Sequence, residues 1–248
     1  MTRIDRRRFR SDRLPLDHFD SRFSADNIAF WPPLFVELAE IRPGSRVLDV
    51  GCGTGGYAIA IAAVSAVVTG VDESERFIAR AREKPGAATF VVGDAEQLPF
   101  EAASFDRVLL SLVLHQLERP EAALREAFRV LRRGGIALVR TIAPEDAHDR
   151  IPERYLPRMA AADAARLLPT HAIAGMLRDA GFAGVSTKPV LRNKALSLPE
   201  VERALRAERA RYDFLTDAEF DEAFRRLRED GGPWVDPRPN TILIATKC

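Results

Sequence analysis

The decapeptide Val47-Leu48-Asp49-Val50-Gly51-Cys52-Gly53-Thr54-Gly55-Gly56 decides the fold of this chain. Val47, Leu48 and Val50 make the short apolar run of a strand buried inside a sheet. Gly51, Gly53 and Gly55 then break it with residues that take positive φ and carry no Cβ to obstruct a ligand. A helix over 57–65 follows, and its N-terminus turns the positive end of the helix dipole back toward the glycines. Strand, glycine turn and helix in this order form a nucleotide-type binding site.

Outward from this stretch, apolar runs at 46–50, 67–72, 89–93, 105–111 and 135–142 alternate with helical patterns, which predicts a parallel, doubly wound sheet. Ser74 caps a helix running through Glu83. Pro120 opens another that reaches Arg132 and stops at Gly134-Gly135. A helix over 170–180 ends at Gly181, a sixth strand follows at 184–190, and a seventh at 240–247 arrives after a long connection and hairpins with the sixth. The expected class is α/β with a seven-stranded sheet, mostly parallel, its last strand antiparallel. Stretches 144–169 and 191–239 are helical lid insertions, the second opening its helices with the capping boxes Ser197-x-x-Glu200 and Thr216-x-x-Glu219. Pro32 and Pro33 open an amphipathic helix with Leu34, Phe35, Leu38 and Ile41 on its apolar side. The organisation expected is a basic tail over 1–23 and one domain over 24–248 with its core at 45–143.

The chain has 248 residues, 46% of them hydrophobic, enough for a substantial core, and a formal net charge of +1, which gives no overall attraction to nucleic acid or an anionic membrane. Arg3, Arg6, Arg7, Arg8, Arg10 and Arg13 outnumber Asp5 and Asp12 at the amino terminus. Without interleaved aromatics such a run reads as a solvated tail, not a nucleic-acid contact. Cys52 and Cys248 provide neither a disulfide framework nor metal-ligand spacing, so a reducing cytoplasm is expected. No signal-peptide pattern is seen, and the longest apolar stretch, 58–68, is too short to span a bilayer. A homodimer is compatible with all of this.

Asp72 stands at the end of the second strand, 21 positions after Gly51. There its two oxygens suit the paired hydroxyls of a ribose. Asp72-Glu73-Ser74 also reads as the acidic cap of the next helix. The third strand ends in Gly93-Asp94-Ala95-Glu96-Gln97-Leu98-Pro99-Phe100. The glycines alone satisfy two patterns, the dinucleotide fingerprint Gly51-x-Gly53-x-x-Gly56 and the series Asp49-x-Gly51-x-Gly53-x-Gly55.

That second series resembles motif I of the class I S-adenosylmethionine-dependent methyltransferases, and 93–100 resembles their motif III. Ser104 to Val108, Ser111 to His115 and Leu131 to Gly135 complete the likeness, which covers 45–143 and is nearest to the ubiquinone and menaquinone biosynthesis type. It implies a Rossmann-like fold, S-adenosylmethionine as cofactor, and methyl transfer to a small molecule at oxygen or carbon without a metal. It further implies that Asp49, Gly51, Gly53 and Gly55 line the methionine and ribose side, with Cys52 a small buried neighbour. Asp72, beside Glu73, holds the ribose. Asp94 and the Ala95 amide read the adenine, and the backbone at Ser111 and Leu112 supports the methionine.

If the acceptor is a hydroxyl or an activated carbon, His115, just past the fourth strand, is the best-placed base, with a packed or capping histidine as the equal alternative. His18 is the second candidate, with Phe19, Phe23 and Trp31 in a segment resembling the lid of this family. If the insertions roof the site, Arg192, Lys194, Arg203, Arg206, Tyr212, Phe214 and Trp234 shape the acceptor pocket; for the arginine-rich helix over 200–211, a solvated face over Val201, Leu205 and Tyr212 is the favoured reading. Ser111-Leu112-Val113-Leu114 lacks the Asn or Asp before Pro-Pro used by nucleobase amino methylases and the acid used by metal-dependent catechol enzymes. Two rivals stand. One is an NAD(P)-dependent oxidoreductase, against which no Tyr is followed four positions later by Lys. The other is a non-catalytic S-adenosylmethionine-binding protein, which would carry the same motifs.

Overall fold

The computed structural model describes residues 16–64, 66–144, 151–209 and 214–248. The arginine run at 3–13 and Tyr212 lie outside the described residues. The chain divides into two compact units, one extending to Thr141 with His171–Lys188 and Ile242–Cys248, the other comprising Ile142–Thr170 and Pro189–Thr241. No helix among the described residues is long and apolar enough to cross a membrane.

The first unit is built on β1 (Arg46–Val50), β2 (Val67–Asp72), β3 (Thr89–Val92), β4 (Phe105–Ser111) and β5 (Leu131–Thr141). These pair in parallel, and with β6 (Ala183–Leu196) and β7 (Trp234–Thr246) they form a seven-stranded sheet in the order β3-β2-β1-β4-β5-β7-β6, the last strand antiparallel. Strand order reverses between β1 and β4, so the connections after these two strands leave in opposite directions and open a crevice at their carboxyl ends. Val47, Leu48, Val108, Leu110, Leu131 and Leu138 are buried across the middle strands. Strands covered on both faces read as continuous apolar runs, which is why this part was legible locally.

Helices α1 (Leu16–Asp20), α2 (Ala25–Leu38), α3 (Gly56–Ala62), α4 (Glu75–Arg82) and α5 (Pro120–Val130) accompany these strands, with a 3-10 turn at Ser21–Phe23. Pro32 and Pro33 lie inside α2 and do not open it. The helix starts after Ser24, whose carbonyl accepts the amides of Asn27 and Ile28 at 2.9 Å. Two interior prolines cost helix hydrogen bonds, but Trp31, Pro32 and Phe35 are buried, and Phe35 sits edge-on to Tyr57 of α3 with centroids 5.7 Å apart. Aromatic burial here outweighs propensity.

The end of α5 also differs from expectation. The helix stops at Val130, and Leu131 already pairs with Phe105, with a register irregularity before Arg107 meets Ile136. Lys247, beyond the end of β7, places its ammonium on the carbonyls of Phe128 (2.7 Å) and Leu131 (2.8 Å), capping the helix from the far end of the chain. The helix after the glycine turn is shorter than expected, ending at Ala62, whereas β6 and β7 are longer than the predicted 184–190 and 240–247. Helix α8 (Thr170–Asp179) completes the elements around the sheet.

The second unit holds α6 (Ile151–Tyr155), α7 (Pro157–Arg166), α9 (Leu198–Arg209) and α10 (Asp217–Asp230). Thr216 and Glu219 form the complete capping box of α10. At Ser197 the Glu200 carboxylate accepts both the backbone amide and the hydroxyl, each at 2.8 Å. Val201 and Leu205 are buried as the apolar stripe of α9, while Arg228 of α10 pairs with Glu202 at 2.9 Å. Lys194 pairs with Glu200, Arg206 lies over the Phe224 ring and Arg158 over Phe214. Ion pairs and ring contacts inside the unit thus occupy several of the side chains expected around an acceptor.

Candidate active site

The glycine turn leaves β1 with Gly51, Gly53 and Gly55 all at positive φ. Their reasons differ. A Cβ on Gly51 would lie 2.5 Å from Val113, and one on Gly55 would lie 2.5 Å from Phe90, so both glycines exist because the protein itself packs against them. Of the three, Gly53 alone has no atom of the described residues within 4 Å of that position. Gly53 is therefore the turn glycine whose Cβ side is open, while Gly51 and Gly55 are required by packing.

Asp72 ends β2 and is tied to this turn. One carboxylate oxygen accepts the Gly53 amide at 2.9 Å, the other the Ser74 amide at 3.0 Å. Burial raises its pKa, the two amides work against that, and the neighbouring Glu73 charge adds to it. Ser74 caps α4 by accepting the Phe77 amide at 3.3 Å, so Asp72 serves the turn and leaves the cap to Ser74. Glu73 is exposed.

Asp49, one strand over, is 3% exposed and has no hydrogen-bond donor among the described residues. Burial and then the Asp72 charge lift its carboxyl to about 7. A cationic group beside Asp49 and Asp72 would bring both carboxyls back down. Cys52, also buried, has its thiol pushed up by burial and by both acids, which keeps it protonated and inert.

At the end of β3, Asp94 is exposed and accepts the Glu96 amide at 2.8 Å, while its carbonyl accepts the Gln97 amide, forming a tight turn that presents Ala95. At the end of β4, Leu112 adopts φ +58, a left-handed backbone unusual for a branched residue. Two bonds pin it: its amide donates to Arg140 O at 2.9 Å, and its carbonyl accepts from Gln116 Nε2 at 2.9 Å. The Ser111 Oγ is buried with no hydrogen-bond partner among the described residues. An orphaned hydroxyl of this kind costs about 1 to 3 kcal/mol and marks a place where a ligand group fits. His115 sits on a 3-10 turn at Leu114–Gln116 and is buried.

Sequence reasoning missed the cluster that holds the amino-terminal segment. Asp20 of α1 accepts from Thr54 Oγ1 at 2.7 Å, Lys84 Nζ at 2.6 Å and Arg80 Nε at 3.1 Å. Burial would raise the Asp20 pKa, but the hydrogen bonds from Lys84, Thr54 and Arg80 prevail and bring it down to about 2. Phe19 packs on Phe77 at 4.5 Å, and Phe23 packs edge-on against Tyr57 at 4.9 Å and against Gly56. Phe19 and Phe23 thus lie against α4 and the start of α3 after the glycine turn. Trp31 does not belong with them: it is 1% exposed in the core, with the Arg140 guanidinium 3.5 Å above its ring. His18 falls on α1, and its side chain lies outside the described residues.

This arrangement fits an adenosyl sulfonium. A buried acid without a donor suits a cationic amino acid moiety, a second acid at the strand end suits a ribose, and the open face of Gly53 admits both. A family model described as a methyltransferase domain matches residues 48–139. The chain is 42% identical over 107 residues to a malonyl-[acyl-carrier protein] O-methyltransferase of Erwinia pyrifoliae, covering 42% of this chain and 41% of that protein's length. It is 36% identical over 173 residues to the ubiquinone/menaquinone biosynthesis C-methyltransferase UbiE of Rhizobium leguminosarum, covering 58% of this chain and 67% of that one. Among solved structures, the [4+2]-cyclase SpnF superposes with a TM-score of 0.58 at 25% identity, covering 87% of this chain and 80% of that one. A phosphoethanolamine N-methyltransferase of Haemonchus contortus crystallised with S-adenosylhomocysteine superposes with a TM-score of 0.55 at 18% identity, covering 94% and 60%, a likeness of fold. The chain belongs to the class I methyltransferases that depend on S-adenosylmethionine.

Proposed function

We propose that this protein methylates a small molecule at oxygen or carbon by in-line transfer, with no metal ion in the step. The observation that supports this most is the union of Asp72 with Gly53, a half-buried acid hydrogen-bonded to the turn glycine whose Cβ position meets no described atom within 4 Å. In this reading the cofactor is held by Asp49, Gly51, Cys52, Gly53, Gly55, Asp72, Glu73, Asp94, Ala95, Ser111 and Leu112.

When bound, S-adenosylmethionine supplies an electrophilic methyl group on a sulfonium. The chain's own task is positioning. Holding an acceptor in line accounts for about 7 to 11 kcal/mol of barrier reduction, and the buried Val113 and Leu114 keep water from this edge. His115 takes the proton of an acceptor that arrives as a hydroxyl. The two curated relatives named above act one at oxygen and one at carbon, which supports both options.

The test is thermal shift with S-adenosylmethionine, S-adenosylhomocysteine, NAD and NADP, followed by turnover on phenols, quinols, acids and amines. Stabilisation by the adenosyl ligands with turnover is expected. Stabilisation by nicotinamide cofactors alone would overturn the reading in favour of an oxidoreductase. A second reading draws on the likeness to SpnF, a [4+2]-cyclase: cofactor binding without methyl transfer. Binding in the absence of any turnover across the panel would favour it.

A further inference from the structure

β3 lies at one edge of the sheet and is 4 residues long, so the turn that follows it has a neighbouring strand on one side only. Such a turn keeps its direction only if something else braces it. The brace comes from α5, where Arg119 is the capping residue and Glu126 and Arg129 follow two and three turns further along. Glu126 accepts the Leu98 amide at 2.8 Å, and Arg129 donates to the carbonyls of Leu98 at 3.0 Å and Phe100 at 2.8 Å. These bonds fix the far half of 94–100.

Glu96 fixes the near half. Its Oε1 accepts the Arg119 amide and its Oε2 the Arg119 Nε, each at 2.8 Å, so one carboxylate holds both the main chain and the side chain of the residue that caps α5. The Glu96 side chain is 10% exposed and that of Arg119 61%. The Glu96 amide in turn donates to Asp94 Oδ1 at 2.8 Å, while Asp94 Oδ2 accepts no hydrogen bond among the described residues. A continuous run of bonds thus leads from the Arg119 guanidinium through Glu96 to one oxygen of Asp94 and leaves the other for a ligand.

Resting on the proposed role of Asp94 in reading adenine, we infer that Glu96 and Arg119 are positioning residues for the cofactor's base. They aim the second oxygen of Asp94 at the exocyclic amino group and so set the preference for adenine over a base that carries a carbonyl there. An exposed ion pair by itself adds little to stability. This one orders a turn that has no second strand beside it, and its effect is on direction: a carboxylate free to swing loses the linear geometry that a strong hydrogen bond requires.

The experiment titrates the full chain with S-adenosylhomocysteine and with S-inosylhomocysteine, in which a carbonyl replaces the exocyclic amino group. The Asp94 carboxylate then faces an acceptor in place of a donor, so the wild-type protein should favour the adenosyl ligand by about 10- to 100-fold. Arg119→Met, made at an exposed side chain, and Glu96→Gln should each lower that ratio by about fivefold or more with little change in Tm. Arg119→Lys, which keeps the charge but not the fork, should recover part of it. Asp94→Ala should bring the ratio close to one, and Asp94→Ala combined with Arg119→Met should lose no more, because the arginine acts through the aspartate.

The inference is overturned if Arg119→Met and Glu96→Gln leave the ratio intact, whether or not Tm falls, since a fall in Tm alone marks a pair that only supports the fold. Additive losses in the double variant would overturn it as well. A wild-type ratio near one would instead remove Asp94 from the adenine and take the inference with it, and failure of the wild-type protein to bind either ligand would remove the cofactor reading itself.

Discussion

The Asp72 carboxylate accepts the Gly53 amide across 2.9 Å, which makes the acid closing β2 and the turn closing β1 one rigid unit. Any ligand that meets this carboxylate also meets the glycine turn.

Asp72→Ala should therefore act twice. It removes about 1.5 to 3 kcal/mol of cofactor binding, and it leaves the Gly53 and Ser74 amides without their acceptor. Calorimetric titration with S-adenosylmethionine and a melt of the unliganded protein report the two losses separately. Wild-type affinity in the variant would show that this acid does not hold the ribose.

The glycines of the turn should part company under substitution. Gly55→Ala drives a methyl group into Phe90 at positive φ and should cost about 3 kcal/mol of stability, visible as a lowered Tm. Gly53→Ala meets no atom and pays only the left-handed backbone, about 1 kcal/mol, yet it should weaken cofactor binding at least about tenfold because the methyl group occupies the ligand's side of the turn. Equal effects on stability would contradict the distinction.

Asp49 makes the unliganded fold sensitive to rising pH. Its carboxyl ionises near 3.8 in the unfolded chain and at about 7 in the fold, so between those values the folded state binds more protons and stability falls as pH climbs. Asp49→Asn should flatten that slope and raise stability at pH 8 by up to about 4 kcal/mol. Denaturant melts at pH 5 and pH 8 check it, and parallel slopes for the two proteins would refute it.

Asp20 has the opposite sign. Its folded value of about 2 lies below the unfolded 3.8, so its contribution is present above pH 4 and disappears as pH falls toward 2. Asp20→Asn should lower stability at pH 7 by about 1 to 2 kcal/mol, the partly exposed setting of the cluster reducing the full linkage value. The difference between the two proteins should vanish in melts near pH 2.

His115→Ala should slow single-turnover methyl transfer to a hydroxyl acceptor by about 10²- to 10⁴-fold and leave the S-adenosylmethionine Kd near normal. An unchanged rate would dismiss the imidazole as the base.

Local pattern carried the first three strands, because each is a compact apolar run closed by a residue that turns the chain: Gly51 after β1, Asp72 at the end of β2, Gly93 after β3. Asp49 and Asp72 stood out in the sequence for the same reason, each lying in the last residues of a strand that leads into a turn. What escaped is what distance in sequence hides. Lys247 caps α5 across more than a hundred residues, and Asp20 reaches Thr54 and Lys84 from 34 and 64 positions away. Pro32 and Pro33 read as a helix start because the burial of Trp31 and Phe35, which overrides them, is a property of the assembled core. The pairing of Glu96 with Arg119 spans 23 positions, which no single segment contains.

Leu112 brings out a different kind of economy. A glycine would adopt its backbone angles without cost, yet the chain keeps a bulky residue there and anchors it on both sides, at the carbonyl of Arg140 and the amide of Gln116. Freedom at that corner would let the end of β4 wander, and a displacement reaction tolerates little wandering. Comfort in the resting chain is given up for a fixed aim, so relaxing the corner with Leu112→Gly would make a calmer protein and a poorer marksman.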